Sequence, residues 1–321
     1  MKLAVDVGYG FTKALADTGS RALFPSAACP APPDVLAGVV GPAVSYRVRV
    51  RRCGGEAEEH LVGRAALASV RAEMTLSREK PAELHDLLLL TAAYLAGAGV
   101  AELAVGLPLA FYRAQKETLA ERLRRLSAWV GADGGEERWV AFSRVAVVPQ
   151  GAGVVLAQDG LGDGLYGVLD VGEYTTDYLL FEVRDGDLTP VLDACGSAEA
   201  GAGLVKQAVA QAFAAFTGEP LPASEVHRVT EAALSAKPVA FRGRELDLSR
   251  PAARAVKDAA RLIAGRVQSA WGPRAAFAGR VLLAGGGALL FGKELAAYFP
   301  AAEGVPDPVF ANCRGYLAAL D

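Results

Sequence analysis

The chain is 321 residues long, 52% of them hydrophobic, with a formal net charge of −3. That length and apolar content are enough for more than one core and predict two domains, while the slightly acidic balance excludes a protein that coats nucleic acid. The four cysteines, Cys29, Cys53, Cys195 and Cys313, form no CxxC pair and stand near no histidine cluster, which excludes a zinc site or disulfide framework and points to reduced thiols in the cytoplasm.

From the N-terminus, Leu3 to Leu15 (LAVDVGYGFTKAL) predicts a hairpin of strands at about 2–8 and 10–17. An apolar run ends in Asp6-Val7-Gly8, turns through Tyr9 and Gly10, and returns through Lys13. No signal-type apolar segment precedes it. Alternation over Tyr46 to Arg51 predicts a strand with one basic face, read as a solvated edge strand, with a filament or partner contact as the other reading. A helical run at about 80–98, a strand at 103–106, and an amphipathic helix from Phe111 to Val130 stopped by Gly131 follow. The apolar stretch Leu87 to Leu109 is broken by Gly97, Gly99, Glu102 and Pro108, so it does not predict a membrane span. A strand at 145–148 leads to Pro149 at the start of a helix that runs through Ala157 into the glycine-rich 159–164, with Gln150 in its first turn.

Tyr166 to Phe181 (YGVLDVGEYTTDYLLF) then repeats the opening hairpin, with Asp170-Val171-Gly172 in place of Asp6-Val7-Gly8. Two such hairpins half a chain apart predict a duplicated phosphate-binding device. Glycine with positive φ tightens the turn and lets an anion approach the backbone N–H groups. Asp6 and Asp170, each ending a buried strand, are of the type that holds Mg²⁺ together with substrate phosphates. Lys13 can reach back to a phosphate as a point charge. In the second turn Glu173, Tyr174, Thr175 and Thr176 follow Gly172, with Asp177 beyond, and supply hydroxyls and carboxylates. Taken alone, either hairpin is weak evidence and reads first as an ordinary glycine-turned pair of strands.

A glycine-rich lead at Gly196 enters a long alanine-rich helix to Phe216, carrying Gly203 and Lys206. Helices at about 222–234 and 251–271 flank a hairpin at 239–248. Arg280 to Leu290 (RVLLAGGGALL) is an apolar strand breaking at Gly285, Gly286 and Gly287 into a helix. That break makes room for a ring or phosphate beside bare backbone, or else is a closely packed strand-to-helix turn. It lacks GxGxxG, which argues against a dinucleotide site. Residues 300–308 read as an irregular linker and 312–320 as a final helix. His60, His85 and His227 are scattered and read as structural.

Two DxG hairpins followed by a late apolar-GGG turn resemble the actin, Hsp70 and sugar-kinase superfamily. Ala104 to Leu109 (AVGLPL), Val147 to Gly153 (VVPQGAG), Asp170 to Asp177 (DVGEYTTD) and Phe310 to Tyr316 (FANCRGY) narrow the resemblance to actin-like ATPases of the ParM/StbA plasmid-segregation type. The resemblance implies an α/β fold of two related actin-like domains, residues 1–158 with 309–321 and residues 159–308, with ATP or ADP and Mg²⁺ in a cleft between them. It makes Asp6 and Asp170 the metal-linked pair and gives Gln150, Asp170 and Asp177 to hydrolysis, with Gln150 orienting the attacking water. It gives Gly8, Tyr9, Gly10, Lys13, Gly172, Glu173, Tyr174, Thr175, Thr176, Gly203, Lys206, Gly285, Gly286 and Gly287 to the nucleotide. Many relatives of that type carry glutamate where this chain has Gln150, and glutamine is the actin-like choice. The implied activity is slow ATP hydrolysis coupled to a helical filament of the chain itself. A DNA-bound adaptor would be its partner, with neither direct nucleic-acid nor membrane binding. A small-molecule kinase of the same superfamily, or a filament with a chromosomal shape or positioning role, is the alternative.

Overall fold

The computed structural model describes the chain except residues 34–45, 68, 70, 75–80 and 159. It divides into two compact units, residues 1–157 with 312–321, and residues 158–311.

The first unit carries strands β1 (Lys2–Val7), β2 (Phe11–Ala16), β3 (Arg21–Pro25), β4 (Ala27–Pro30), β5 (Tyr46–Arg52), β6 (Ala57–Val62), β7 (Glu73–Met74), β8 (Val100–Leu107), β9 (Ser127–Ala132) and β10 (Arg138–Pro149). It also carries helices α1 (Arg64–Leu67), α2 (Ala82–Leu95), α3 (Leu109–Arg124) and α4 (Ala152–Leu156). Its sheet runs β3-β2-β1-β8-β10-β9-β5-β6-β4-β7. β1, β8 and β10 are parallel neighbours, and β1 is buried from Leu3 to Val7, as a parallel strand covered on both faces must be. Covering it is α2, whose Leu84 to Ala93 are all buried. A helix apolar all round is stable only inside.

The second unit carries β11 (Gly164–Val171), β12 (Thr176–Arg184), β13 (Asp187–Pro190), β14 (Gly196–Ala198), α5 (Gly203–Thr217), α6 (Ala223–Leu234), β15 (Val239–Phe241), β16 (Arg244–Leu246), α7 (Ser249–Trp271), β17 (Ala278–Ala284), α8 (Gly286–Ala296) and β18 (Ala302–Gly304). Its sheet order is β13-β12-β11-β17-β18, with β14 on β12. The chain then returns to the first unit in α9 (Ala311–Ala318). Trp271, at the end of α7, is 1% exposed, meets Phe299 edge to face and donates Nε1–H to the Ala194 carbonyl at 3.0 Å. It also explains a glycine inside β11, because a Cβ on Gly167 would lie 2.5 Å from the Trp271 ring.

The two sheets repeat one pattern. An antiparallel trio, β3-β2-β1 or β13-β12-β11, is extended by two parallel strands, β8 and β10 or β17 and β18. The hairpins match in register as well, Asp6 facing Lys13 and Asp170 facing Asp177. The fold is the expected one of two related α/β domains.

Five local expectations are corrected. β5 is an interior strand between β9 and β6, not an edge; its basic face is matched across strands, Arg47 to Glu59 at 2.7 Å and Arg49 and Arg51 to Glu137 at 3.5 and 3.3 Å. These partners, Glu59 on β6 and Glu137 in the turn between β9 and β10, rather than solvent alone, occupy the charged face. The helix expected to reach Val130 ends at Arg124, and 127–132 form β9, where Trp129 packs on Trp139 at 5.7 Å between centroids. Aromatic and β-branched residues there follow tertiary pairing over helical period. Pro149 closes β10 instead of opening a helix, so Gln150 lies in the turn before α4. Residues 300–308 are not wholly irregular, since 302–304 pair in parallel with β17. Finally, Gly8 and Gly172 do not adopt positive φ; their requirement is steric, as given below. Residues 80 and 159, called within a helix and a glycine-rich turn, lie outside the described residues.

Candidate functional site

In the first unit the β1–β2 turn is closed by Gly8 N–H donating to the Phe11 carbonyl at 3.1 Å. A Cβ on Gly8 would sit 2.6 Å from that oxygen, closer than real contacts allow, so the turn admits only glycine there. Asp6, one residue inside the strand end and 4% exposed, accepts from Lys13 Nζ at 2.8 Å and from Gln150 Nε2 at 3.0 Å. A buried carboxylate needs such partners. Three of the expected site residues are therefore one cluster, with Lys13 turned onto Asp6.

Gln150 is held from behind. Its N–H donates to the Leu107 carbonyl at 2.9 Å, and the next N–H, that of Gly151 at φ 82°, donates to Asn312 Oδ1 at 3.0 Å. Asn312 belongs to FANCRGY, a motif read from sequence without a role for this residue. Gln150 also lines a cavity of about 340 Å³ with Tyr9, Gly106, Pro108, Phe111 and Arg122.

In the second unit the same closure recurs, Gly172 N–H to the Thr175 carbonyl at 2.9 Å, and a Cβ on Gly172 would meet that oxygen at 3.0 Å. The lead into α5 is laced to this turn: Ala202 N–H donates to the Gly172 carbonyl at 3.0 Å and Gly203 N–H to the Glu173 carbonyl at 2.7 Å. Cβ atoms on Gly201 and Gly203 would lie 2.5 and 2.9 Å from those same two oxygens. Glu173 and Lys206 form an ion pair at 2.7 Å, with side chains 19% and 27% exposed. Gly203, Lys206, Glu173 and Gly172 thus meet, together with Gly201, which nothing in the sequence spacing marks.

Two side chains of the second turn are engaged inside the fold. Thr176 is fully buried and its hydroxyl donates to the Ala200 carbonyl at 2.7 Å. Asp177, 2% exposed, accepts the hydroxyl of Ser197, a partner without any motif to betray it. Removing the Thr176 hydroxyl in Thr176→Val strands a buried carbonyl and should cost about 1–2 kcal/mol in urea unfolding. Nucleotide affinity of the folded variant should be unchanged.

The three late glycines differ. Gly285, at φ 79°, would put a Cβ 2.4 Å from the Val171 carbonyl and 2.5 Å from Asp170 Oδ1, and Gly287 would put one 2.4 Å from Val171 Cγ1. The reading as a closely packed strand-to-helix turn holds for these two, which let β17 and α8 press against the Asp170 strand end. Around a Cβ on Gly286 there is nothing within 4 Å, so its backbone at the start of α8 faces open space. Tyr174 and Thr175 are half-buried in the turn itself, as are Tyr9 and Gly10 in the first. No cluster of three or more His, Cys, Asp or Glu suited to a metal occurs among the described residues, and none of their helices is long and apolar enough to cross a membrane.

Known proteins share the fold of both units. The family model "Actin like proteins N terminal domain" matches residues 4–153, and "Archaeal actin homologue MreB-like, C-terminal" matches residues 168–297. A curated archaeal actin homolog of Thermoplasma volcanium is 27% identical, the alignment covering 99% of this chain and 98% of that protein. Among solved structures, a 15-stranded ParM filament from Clostridium botulinum superposes with a TM-score of 0.88 at 22% identity, over 99% of this chain and 98% of that one. An archaeal actin homolog in complex with ADP superposes with a TM-score of 0.81 at 24% identity, over 100% and 99%. At such identities the structural likeness speaks to the fold.

Proposed function

We propose that the chain, whose two halves match family models of actin-like proteins, binds ATP with Mg²⁺, hydrolyses it slowly, and assembles with further copies of itself into filaments. The observation that carries this reading is the repeated device: two turns closed by the same glycine N–H bond, each with an aspartate at the same register. One hairpin is a common turn; two of the same register, on two sheets of one topology, would each offer backbone N–H groups to a phosphate. The N–H groups of Gly8 and Gly172 are spent on closing the turns, so Tyr9-Gly10 and Glu173-Tyr174-Thr175 are the backbone a phosphate would meet. Gly286, with open space around it, and the Glu173–Lys206 pair at the start of α5 are the expected nucleoside side.

The residues fit Mg²⁺ only in company with phosphate oxygens. The described carboxylates form no cage by themselves, and Asp6 already accepts from Lys13 and Gln150. Magnesium commonly takes one or two carboxylates, waters and substrate phosphates, and Asp6 and Asp170 are the carboxylates that would supply the protein's share. When bound, it would offset charge on the phosphate oxygens.

Gln150 gives its amide N–H to Asp6, which leaves Oε1 to accept from a water. A carboxamide cannot remove a proton at neutral pH, but it can align the nucleophile. Hydrolysis is then slow in the monomer and faster where assembly steadies the Gln150 turn. Gln150→Ala should lower polymer turnover about ten- to a hundredfold while leaving nucleotide affinity in place. Phosphate release measured on soluble and pelleted protein checks this, and equal rates in the two fractions would defeat it.

The relatives that share the fold include a ParM filament, which favours segregation of plasmid DNA through a DNA-bound adaptor as the cellular role. Light scattering with ATP and Mg²⁺ tests the core of the proposal: a rise that decays as ATP is consumed is expected. Phosphate transfer to an added acceptor without scattering would point to a kinase instead.

A further inference from the structure

Two exposed apolar points in the second unit stand at opposite ends of one rigid helix. At the C-terminal end of α7 the chain continues into a 3-10 turn, 272–277, which the Asp193–Arg274 ion pair (2.8 Å) and the Trp271-to-Ala194 bond tie to a second 3-10 turn, 192–194. Leu192 and Phe277, in these joined turns, are 79% and 77% exposed. Side chains so apolar are seldom left this bare in pairs unless something covers them. At the other end, the β15–β16 hairpin leads directly into α7, and the Phe213–Phe241 ring contact and Arg242–Glu219 ion pair fasten it to the end of α5. There Phe216 is 63% exposed. The 23 residues of α7 separate the two ends by about 34 Å.

The two ends match each other. Each sets a bare hydrophobic side chain beside one arginine and one carboxylate, and the four charged side chains are 42–72% exposed. We propose that these ends are the two halves of a single contact between copies of this chain. The Leu192–Phe277 end of one copy seats on the Phe216 end of the next, and Arg274 exchanges Asp193 for the next copy's Glu219 while that copy's Arg242 turns to Asp193. Every charge stays paired and the apolar side chains leave water. Because the two surfaces differ and lie at opposite ends, the contact is heterologous, adding copies head to tail without closing on itself. The inference rests on the self-assembly proposed above and names the surface that would carry it.

The test is sedimentation with ATP and Mg²⁺. Wild type is expected to pellet above a critical concentration, whereas the Leu192→Asp/Phe277→Asp double variant and the Phe216→Asp variant each raise that concentration about tenfold or more. Both are surface changes and should melt like wild type. Mixed one to one, they should form a dimer of one copy of each, because each keeps the end the other lacks. Arg274→Glu should also block pelleting, and adding Glu219→Arg in the same chain should restore it. That rescue cannot arise within a copy, since both internal pairs then carry like charges. Wild-type critical concentrations in the variants, or no rescue by the reversed charge, would overturn the inference while leaving self-assembly standing. A wild type that never pellets would instead overturn the self-assembly reading beneath it.

Discussion

Gly315→Ala is expected to lower stability by about 3–5 kcal/mol, because its added methyl meets the closest contact among the described glycines. A Cβ on Gly315 would lie 1.9 Å from the Gly153 carbonyl oxygen and 2.5 Å from the Gly153 Cα. Both neighbours are backbone, so no rotamer change can make room. The contact is one part of a knot. Tyr316, fully buried, lies over Gly106 and Gly153, where added Cβ atoms would meet its hydroxyl at 2.2 Å and its ring at 2.8 Å. Beside it Asn312 accepts the N–H of Gly151. Shifting α9 outward to relieve the clash would unseat Tyr316 and that bond together, which is why the cost exceeds that of an ordinary overpacked methyl. Urea unfolding compares it with Gly162→Ala, where nothing lies within 4 Å of the new Cβ and the change should stay within about 0.5 kcal/mol. Equal midpoints for the two variants would show that α9 is not clamped through Gly315.

Asp170→Ala is expected to reduce hydrolysis at saturating ATP at least about a hundredfold, while unfolding stays within about 1 kcal/mol of wild type. Asp170 lies one residue inside the end of β11, between Thr176-bearing β12 and the glycine end of β17, facing Asp177 and Ala284 in register. It is half-buried, with its carboxylate over the bare Cα of Gly285. A carboxylate that only a glycine at 285 leaves room for is suited to orienting groups on a substrate, and little packing depends on it. Phosphate release with parallel thermal unfolding separates the roles, and undiminished turnover would remove Asp170 from the site. Gly286→Ala gives an independent view. With open space around the new methyl stability should hold, and weaker nucleotide binding would be the sign that the backbone there meets a ligand.

The duplicated hairpins were legible because their chemistry is local. Asp-Val-Gly at the end of an apolar run dictates a strand, a tight turn and a carboxylate whatever lies around it, and both copies formed with matching registers. Why the glycines are needed was not legible. The turn signal suggested positive φ, yet Gly8 and Gly172 are required by the carbonyls of Phe11 and Thr175. β9 was hidden for a similar reason: 127–132 continue a helical pattern in sequence, and only pairing with β5 and β10 makes them a strand. Ser197 on Asp177, and Gly201 against the Gly172 carbonyl, carry no sequence signal at all, because each is defined by the element it touches.

By itself, then, the sequence determined which segments are apolar strands and helices, where the acidic and glycine residues concentrate, and that one half repeats the other, since these depend on neighbours a few positions apart. Only the tertiary structure decided that Lys13 and Gln150 both turn onto Asp6, that the FANCRGY segment holds the Gln150 turn through Asn312, and which of three adjacent glycines faces open space. Those outcomes hang on contacts between residues as many as 161 positions apart. At such separations packing geometry, and not residue type or spacing, selects the partner.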